Sequence, residues 1–245
     1  MSGETWIAGA DGCPAGWIVV LCEVGATRPP EIRVARTFAD LLALPEAPRV
    51  IAIDMPIGLP ERTTVGGRAP DIAARANLGK RQSSVFAVPS RRAVMADDYA
   101  TACRIAFETS DPPRKISKQT WHLFPRIREI DAMMTPELQQ RVYECHPEVA
   151  FWAMNGERPL DEPKKVKSRP YEPGLALRRR LLADAGFPPA FLAATHVRPS
   201  VAGVDDLLDA CACAWTAGRI LSGTARTFPP HPPIDPCGLR QEIKA

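Results

Sequence analysis

A mixed α/β sheet is expected from this chain because three things coincide. The first third reads as three short apolar segments joined by tight turns, then a short helix, then a fourth apolar segment. Strands joined by tight turns run antiparallel, whereas a strand reached through a helix lies parallel to one already in place. The Ala-rich segment from Asp205 to Leu221, stopped by Gly223, reads as the longest helix and has the composition to cover one face of such a sheet.

In chain order, Thr5 to Ala10 is a mostly apolar strand ending at Asp11, and the glycines and Pro14 that follow are turn chemistry. Trp17 to Val24 is a second strand, β-branched and apolar. Glu31 to Arg36 alternates charge with Ile32 and Val34, as a half-exposed strand does. Thr37 with Asp40 three residues on marks a capping box for a short helix through Leu41 and Leu42. Val50 to Ile53 is a continuous apolar run suited to burial on both faces, and it ends at Asp54.

The middle is helical and interrupted by proline. One helix has Pro70 at its first position and Gly79 past its end, and one is capped by Asp97 or Asp98 and runs to Thr109. A third carries Ile127, Ile130 and Met134, and a fourth starts at Thr135-Pro136-Glu137. Val142 to His146 is a short strand, and Pro147-Glu148 opens a helix. Residues 161–174 read as a loop, Leu175 to Ala185 as a helix stopped by Gly186, and the proline-rich tail as extended until a last strand near Leu239 to Ile243. With no internal repeat and no long linker, the expectation is one domain over 1–245 with a mostly helical insertion around 60–140.

Composition narrows the class. The formal charge of +3 neither demands nor forbids a nucleic-acid partner, so what matters is where the basic residues cluster. The 26 prolines, about twice the usual share, favour stiff connections and short helices. No apolar run approaches the roughly 18 residues of a membrane span, and the N-terminal Met-Ser-Gly-Glu has no signal-peptide pattern. Seven cysteines without a CxxC pair argue against a zinc cluster or a disulfide framework, and for buried thiols in the cytoplasm.

The chemistry-bearing residues are acidic. Asp11 and Asp54 each stand at the C-terminal end of an expected strand, the edge at which α/β sheets gather their ligands. Two carboxylates held close repel unless a cation neutralises them, and a hard divalent ion such as Mg²⁺ or Mn²⁺ is the natural partner. In the last helix Asp206 and Asp209 share a face at i,i+3, next to the apolar stretch from Ala210 to Trp215, while Asp205 is the expected N-cap. Glu144 and His146 point to one side of the short strand; Glu144 is a further metal or water ligand, and His146 reads first as an N-cap or buried hydrogen-bonding residue and second as a metal ligand or proton-transfer group. Lys164, Lys165, Lys167, Arg169, Arg178, Arg179 and Arg180 fall within a stretch containing one acid, Glu172. Arg75, Lys80, Arg81, Arg91 and Arg92 form a second basic group, with Ser83 and Ser84 beside Arg81. Basic runs flanking an acidic metal site suit a phosphodiester: cations for the backbone, carboxylates for the metal.

These residues also form a recognisable set. Gly9-Ala-Asp11-Gly-Cys-Pro-Ala-Gly-Trp17 resembles the opening of the domain-of-unknown-function family numbered 429. Ile53-Asp54-Met-Pro-Ile-Gly58, Asp71-Ile-Ala-Ala-Arg75, Arg81-Gln-Ser-Ser-Val-Phe86, Glu144-Cys-His-Pro-Glu148 and Asp205-Asp206-Leu-Leu-Asp209 resemble its later blocks, in order and over nearly the whole chain. The family is described as predicted ribonuclease H-like nucleases. The resemblance therefore implies a ribonuclease H-like fold with a mixed five-stranded sheet, three strands antiparallel and the later ones parallel. It implies acids on the first strand (Asp11), the fourth strand (Asp54) and the final helix (Asp206 and Asp209, a DxxD similar to that of Holliday-junction resolvases).

The implied activity is divalent-metal-dependent hydrolysis of nucleic acid. Asp11 would bridge two Mg²⁺ ions, Asp54 and Asp206 or Asp209 would each hold one, and Glu144 would stand in reserve. Arg75, Arg81, Ser83, Ser84, His146 and Lys165 are the expected substrate contacts. The chain departs from the family after the His-Pro-Glu block, where the order is Lys164-Lys165-Val166-Lys167-Ser168 rather than a serine followed by two lysines. The alternative is a non-catalytic module on a nuclease-like fold that binds nucleic acid or a partner. Phosphoryl transfer on an actin-like core ranks below both, because the chain lacks paired Gly-rich phosphate loops.

Overall fold

In the computed structural model, which describes residues 4–25, 28–167, 169–193 and 198–245, the chain opens with β1 (Trp6–Cys13), β2 (Gly16–Glu23) and β3 (Glu31–Ala35). Met1, Ser2, Gly3 and Ser168, named above, lie outside the described residues. α1 (Phe38–Leu42) follows, with both hydrogen bonds of the expected capping box between Thr37 and Asp40, and leads to β4 (Val50–Ile53). Between β4 and the next sheet strand come α2 (Ala69–Arg75), a 3₁₀ turn (Gly79–Ser84), α3 (Arg91–Val94), α4 (Tyr99–Glu108), α5 (Lys118–Asp131) and a second 3₁₀ turn (Leu138–Gln140). Then follow β5 (Val142–Glu144), α6 (Pro147–Met154), a two-stranded ribbon of β6 (Lys165–Val166) and β7 (Arg169–Pro170), α7 (Glu172–Asp184), α8 (Pro189–Leu192), α9 (Val204–Leu221), and a terminal ribbon of β8 (Thr227–Phe228) and β9 (Ile243–Lys244).

The sheet order is β3-β2-β1-β4-β5. β1 to β3 form an antiparallel meander, β4 joins β1 in parallel and β5 joins β4 in parallel, which is the mixed five-stranded α/β sheet expected of a ribonuclease H-like fold.

Several boundaries differ from expectation, each for a local reason. β1 does not end at Ala10. Its ladder with β2 continues through Asp11↔Ile18 to Cys13↔Gly16, so only Pro14 and Ala15 turn the hairpin. Its parallel pairing with β4 does stop at Ala10↔Ile53. Asp11 is therefore a strand residue at the point where β1 outruns β4.

Gly79 opens a 3₁₀ turn with φ of +48°, rather than capping α2. Met134 lies beyond α5, and Thr135-Pro136-Glu137 leads only into a 3₁₀ turn. β5 stops at Glu144, because His146 is already the N-cap of α6; the two do not share a strand face. α7 starts three residues earlier than expected, since Pro173 is tolerated in its first turn. The N-cap of α9 is Gly203, not Asp205.

Strand alternation sorts the core onto two faces. Ile7, Cys13, Ile18, Val20, Val50 and Ala52 point to one face and pack with α9, α6 and α7. Trp6, Ala8, Ala10, Trp17, Val19, Leu21, Ile51 and Ile53 point to the other and pack with α1, α5 and the rest of the long β4–β5 connection. β4 is buried along its whole length, as its unbroken apolar run requires.

In this core α9 and β1 meet backbone to backbone. A Cβ on Gly9 would stand 1.9 Å from the Ala214 nitrogen and 2.2 Å from the Ala210 carbonyl oxygen. Gly218 of the same helix lies against Ile7, so α9 runs antiparallel to β1 with its N-terminal turns over the Asp11 end. A methyl group at Gly9 must push the helix off the strand. Gly9→Ala is expected to cost about 3 kcal/mol of stability, read as a lowered midpoint of urea unfolding; an unchanged midpoint would show that the helix does not rest on this residue.

Candidate metal centre

The site begins where parallel pairing ends. The Asp54 backbone N–H donates to the Ala10 carbonyl at 2.9 Å, which sets Asp54 beside Asp11 at the C-terminal edge of β1 and β4. Asp209, in the second turn of α9, comes down onto them because Ala210 and Ala214 are seated on Gly9. One carboxylate oxygen from each of Asp11, Asp54 and Asp209 lies within 4.8 Å of the others. Two like charges at that separation repel by about 3 kcal/mol at an effective dielectric of about 20.

Two contacts partly offset the repulsion. Asp11 accepts a hydrogen bond from the Gly12 N–H at 2.7 Å, and the Lys164 ammonium is in direct contact with Asp209 Oδ2. Three ionised carboxylates against one ammonium would leave two negative charges in a buried place. Burial, then Asp54 and Asp209, push the Asp11 carboxyl well above the usual carboxylate range. Burial also raises Asp54, against the pull of His146, and raises Asp209, against the pull of Lys164. Asp209 Oδ1 is buried with no hydrogen-bond partner. An oxygen-lined, electron-rich cup with an unsatisfied carboxylate oxygen fits a hard cation, and these three aspartates are the residues that could hold one.

The other expected acids are engaged elsewhere. Asp206 Oδ2 accepts from the Gly203 N–H at 2.8 Å, making Asp206 the capping residue of the first turn of α9. Asp205 pairs with Lys165 at 2.6 Å. Glu144 faces the same cleft, but its oxygens take hydrogen bonds from Arg68 at 2.5 and 2.9 Å and from the Ile57 N–H at 2.7 Å. Arg68 is fully buried and also holds Asp71 at 2.8 Å. Burial pushes the Glu144 carboxyl up, to about 7, against Arg68. Glu144 thus braces α2 against β5.

Of the expected substrate contacts, Ser84 lines the cleft and Ser83 is exposed beside it. His146 also lines it, but Nδ1 accepts from the Glu148 N–H, so Nε2 carries the proton and donates to the Ser84 carbonyl at 3.2 Å. Arg81 is half-buried in the 3₁₀ turn, and Lys165 is occupied by Asp205. Arg75 rests beside Gly66 and does not line the cleft.

Two cations were not singled out from sequence. Lys164 was one of a run of basic residues that nothing distinguishes by spacing. Arg126, on α5, lines the cleft of about 180 Å³ with its guanidinium against the Cys13 carbonyl at 2.5 Å and over the Trp17 ring at 5.9 Å. The signal for Arg126 is indirect: a Cβ on Gly12 would stand 2.9 Å from its Nε.

The chain is matched over residues 9–234 by the model of the family described as "Protein of unknown function (DUF429)", and it belongs to that family. No curated protein and no solved structure matches it. No helix among the described residues is long and apolar enough to cross a membrane.

The raised carboxyls carry a pH signature. A carboxyl whose folded pKa exceeds its unfolded value contributes stability that is complete below the unfolded value and is lost as pH rises through the folded one. In EDTA the protein is therefore expected to melt at a lower temperature at about pH 7.5 than at about pH 5.5, and Asp11→Asn to raise the melting temperature at the higher pH and narrow the difference. A variant that melts lower at both values would show that Asp11 is not under electrostatic load.

Proposed function

We propose that this protein is a divalent-metal-dependent phosphodiester hydrolase acting on nucleic acid, with Mg²⁺ or Mn²⁺ held by Asp11, Asp54 and Asp209. The observation that carries this reading is the convergence of three carboxylates from β1, β4 and α9 within 4.8 Å, one with a buried unpartnered oxygen. When bound, the metal supplies Lewis acidity toward a phosphoryl oxygen and a lowered pKa for attacking water.

The chain's own residues supply the rest. Asp11, fixed by the Gly12 N–H, and Asp54, fixed by its backbone to Ala10, keep their oxygens converged without a side-chain search. Arg126 is held by a carbonyl and an aromatic face, which leaves further guanidinium donors for a phosphate. Ser84 lines the cleft with its hydroxyl, and Ser83 and Arg81 adjoin it in the same 3₁₀ turn. Lys164 and Lys165 lie against Asp209 and Asp205 of α9, where they would meet a polyanionic backbone. Asp206 and Glu144 are left out of this metal set because neither brings an oxygen into the cluster that the other three form.

The test is cleavage of bis(p-nitrophenyl) phosphate and of labelled single- and double-stranded nucleic acids, with Mn²⁺ present and with EDTA. Cleavage should require Mn²⁺ and fall on the order of a thousandfold in Asp11→Asn, with circular dichroism unchanged. Equal cleavage by that variant would remove the assigned centre. A folded protein that takes up no Mn²⁺ would instead favour a non-catalytic binding module.

A further inference from the structure

Lys164 stands apart from the other cations around the cleft. Its ammonium touches Asp209 Oδ2, and Asp209, Asp11 and Asp54 together hold it above the ordinary lysine range, against the downward pull of burial. The backbone beneath it is clamped. The Lys164 carbonyl accepts from the Tyr171 N–H at 2.9 Å, and the neighbouring Glu162 carbonyl accepts from Arg178 at 3.0 Å. Arg178, fully buried, is itself tied to Glu148 at 2.7 Å. Pro163 crosses the first turn of α7 so closely that a Cβ on Gly174 would stand 1.8 Å from its carbonyl oxygen. The side chain, by contrast, is 35% exposed and carries a four-carbon stem with one ion pair at its end. Arg68 is the opposite case: wholly buried, with its donors divided among two carboxylates and two carbonyls, it cannot leave.

We infer that the Lys164 ammonium is an exchangeable counter-ion of the aspartate triad: it neutralises Asp209 while the divalent site is empty and gives that carboxylate up when a metal ion enters. The inference rests on the proposed metal centre and concerns what the chain does before the metal arrives. Two cations drawn to the same three carboxylates repel each other in a place with little water to screen them. Asp209 offers a second oxygen, Oδ1, that is buried and unpartnered, so an arriving ion has a ligand ready before the ammonium departs. Because the backbone stays clamped, the released ammonium swings on its stem and remains at the cleft, where a phosphate oxygen can take it up. Lys165 does not have this position, since it pairs with Asp205 outside the triad.

The experiment is Mn²⁺ binding by titration calorimetry, without substrate, on the unsubstituted protein, Lys164→Met and Lys165→Met. Methionine keeps the length of the stem and removes the charge. Lys164→Met is expected to bind Mn²⁺ about tenfold more tightly or better, and Lys165→Met to change by less than about threefold, the general effect of removing one positive charge nearby. Melting with Mn²⁺ and with EDTA gives a second reading: the gain on adding Mn²⁺ should be larger in Lys164→Met than in the unsubstituted protein. That comparison holds even if the variant is poorly folded without metal. Equal affinities in Lys164→Met and the unsubstituted protein, or weaker binding in the variant, would overturn the exchange while leaving the metal centre standing. No Mn²⁺ uptake by any of the three would overturn both.

Discussion

The approach of α9 to β1 at Gly9 is the contact on which the rest is built. Helices normally pack on sheets through side chains, at a distance set by leucines and valines. Here the helix backbone at Ala210 and Ala214 sits where a β-carbon would be. That brings the first turns of α9 to the strand edge and fixes their rotation, since alanines must face the strand. Asp209 then has one place to go, beside Asp11. A carboxylate pair made by two adjacent parallel strands becomes a three-sided cup only because of this third approach, from an element about 150 residues away in the chain.

The cup illustrates how a fold stores unfavourable charge. Buried like charges oppose folding, and here the core on both faces of the sheet must outweigh them. The chain reduces the load with one lysine and one backbone N–H and leaves the remainder in place. Close by, the same physics is solved in full: Arg68 between Asp71 and Glu144 is paired, hydrogen-bonded and sealed. One cluster of charge is closed and braces the wall of the cleft; the other is open and can accept a ligand.

Much of this was legible in the sequence. The sheet was, because tight turns, a capping box at Thr37 and an uninterrupted β4 all act within a few residues. Asp11 and Asp54 stood out because strand ends can be read from local pattern. Asp209 was legible by its place next to an apolar helix stretch. What could not be read was decided by partners distant in sequence. Whether Asp206 or Asp209 turned inward depended on Gly203 taking the cap, and Glu144 was withdrawn from the centre by an arginine 76 positions earlier. Lys164 and Lys165 differ by one residue and pair with different aspartates of α9, a distinction that no periodicity announces.

Pro163 crosses the first turn of α7 at Gly174, just before Lys164. The hydrogen bonds from Tyr171 and Arg178 close the base of the segment around Lys164, and the β6–β7 ribbon lies beyond that base. Both ribbon strands are exposed, and Lys165 ties the ribbon to Asp205 of α9. Lengthening, shortening or recomposing the ribbon alters what the protein touches at its rim while leaving the ammonium's anchorage intact. The anchored base and the exposed ribbon can thus change separately within one short stretch of chain.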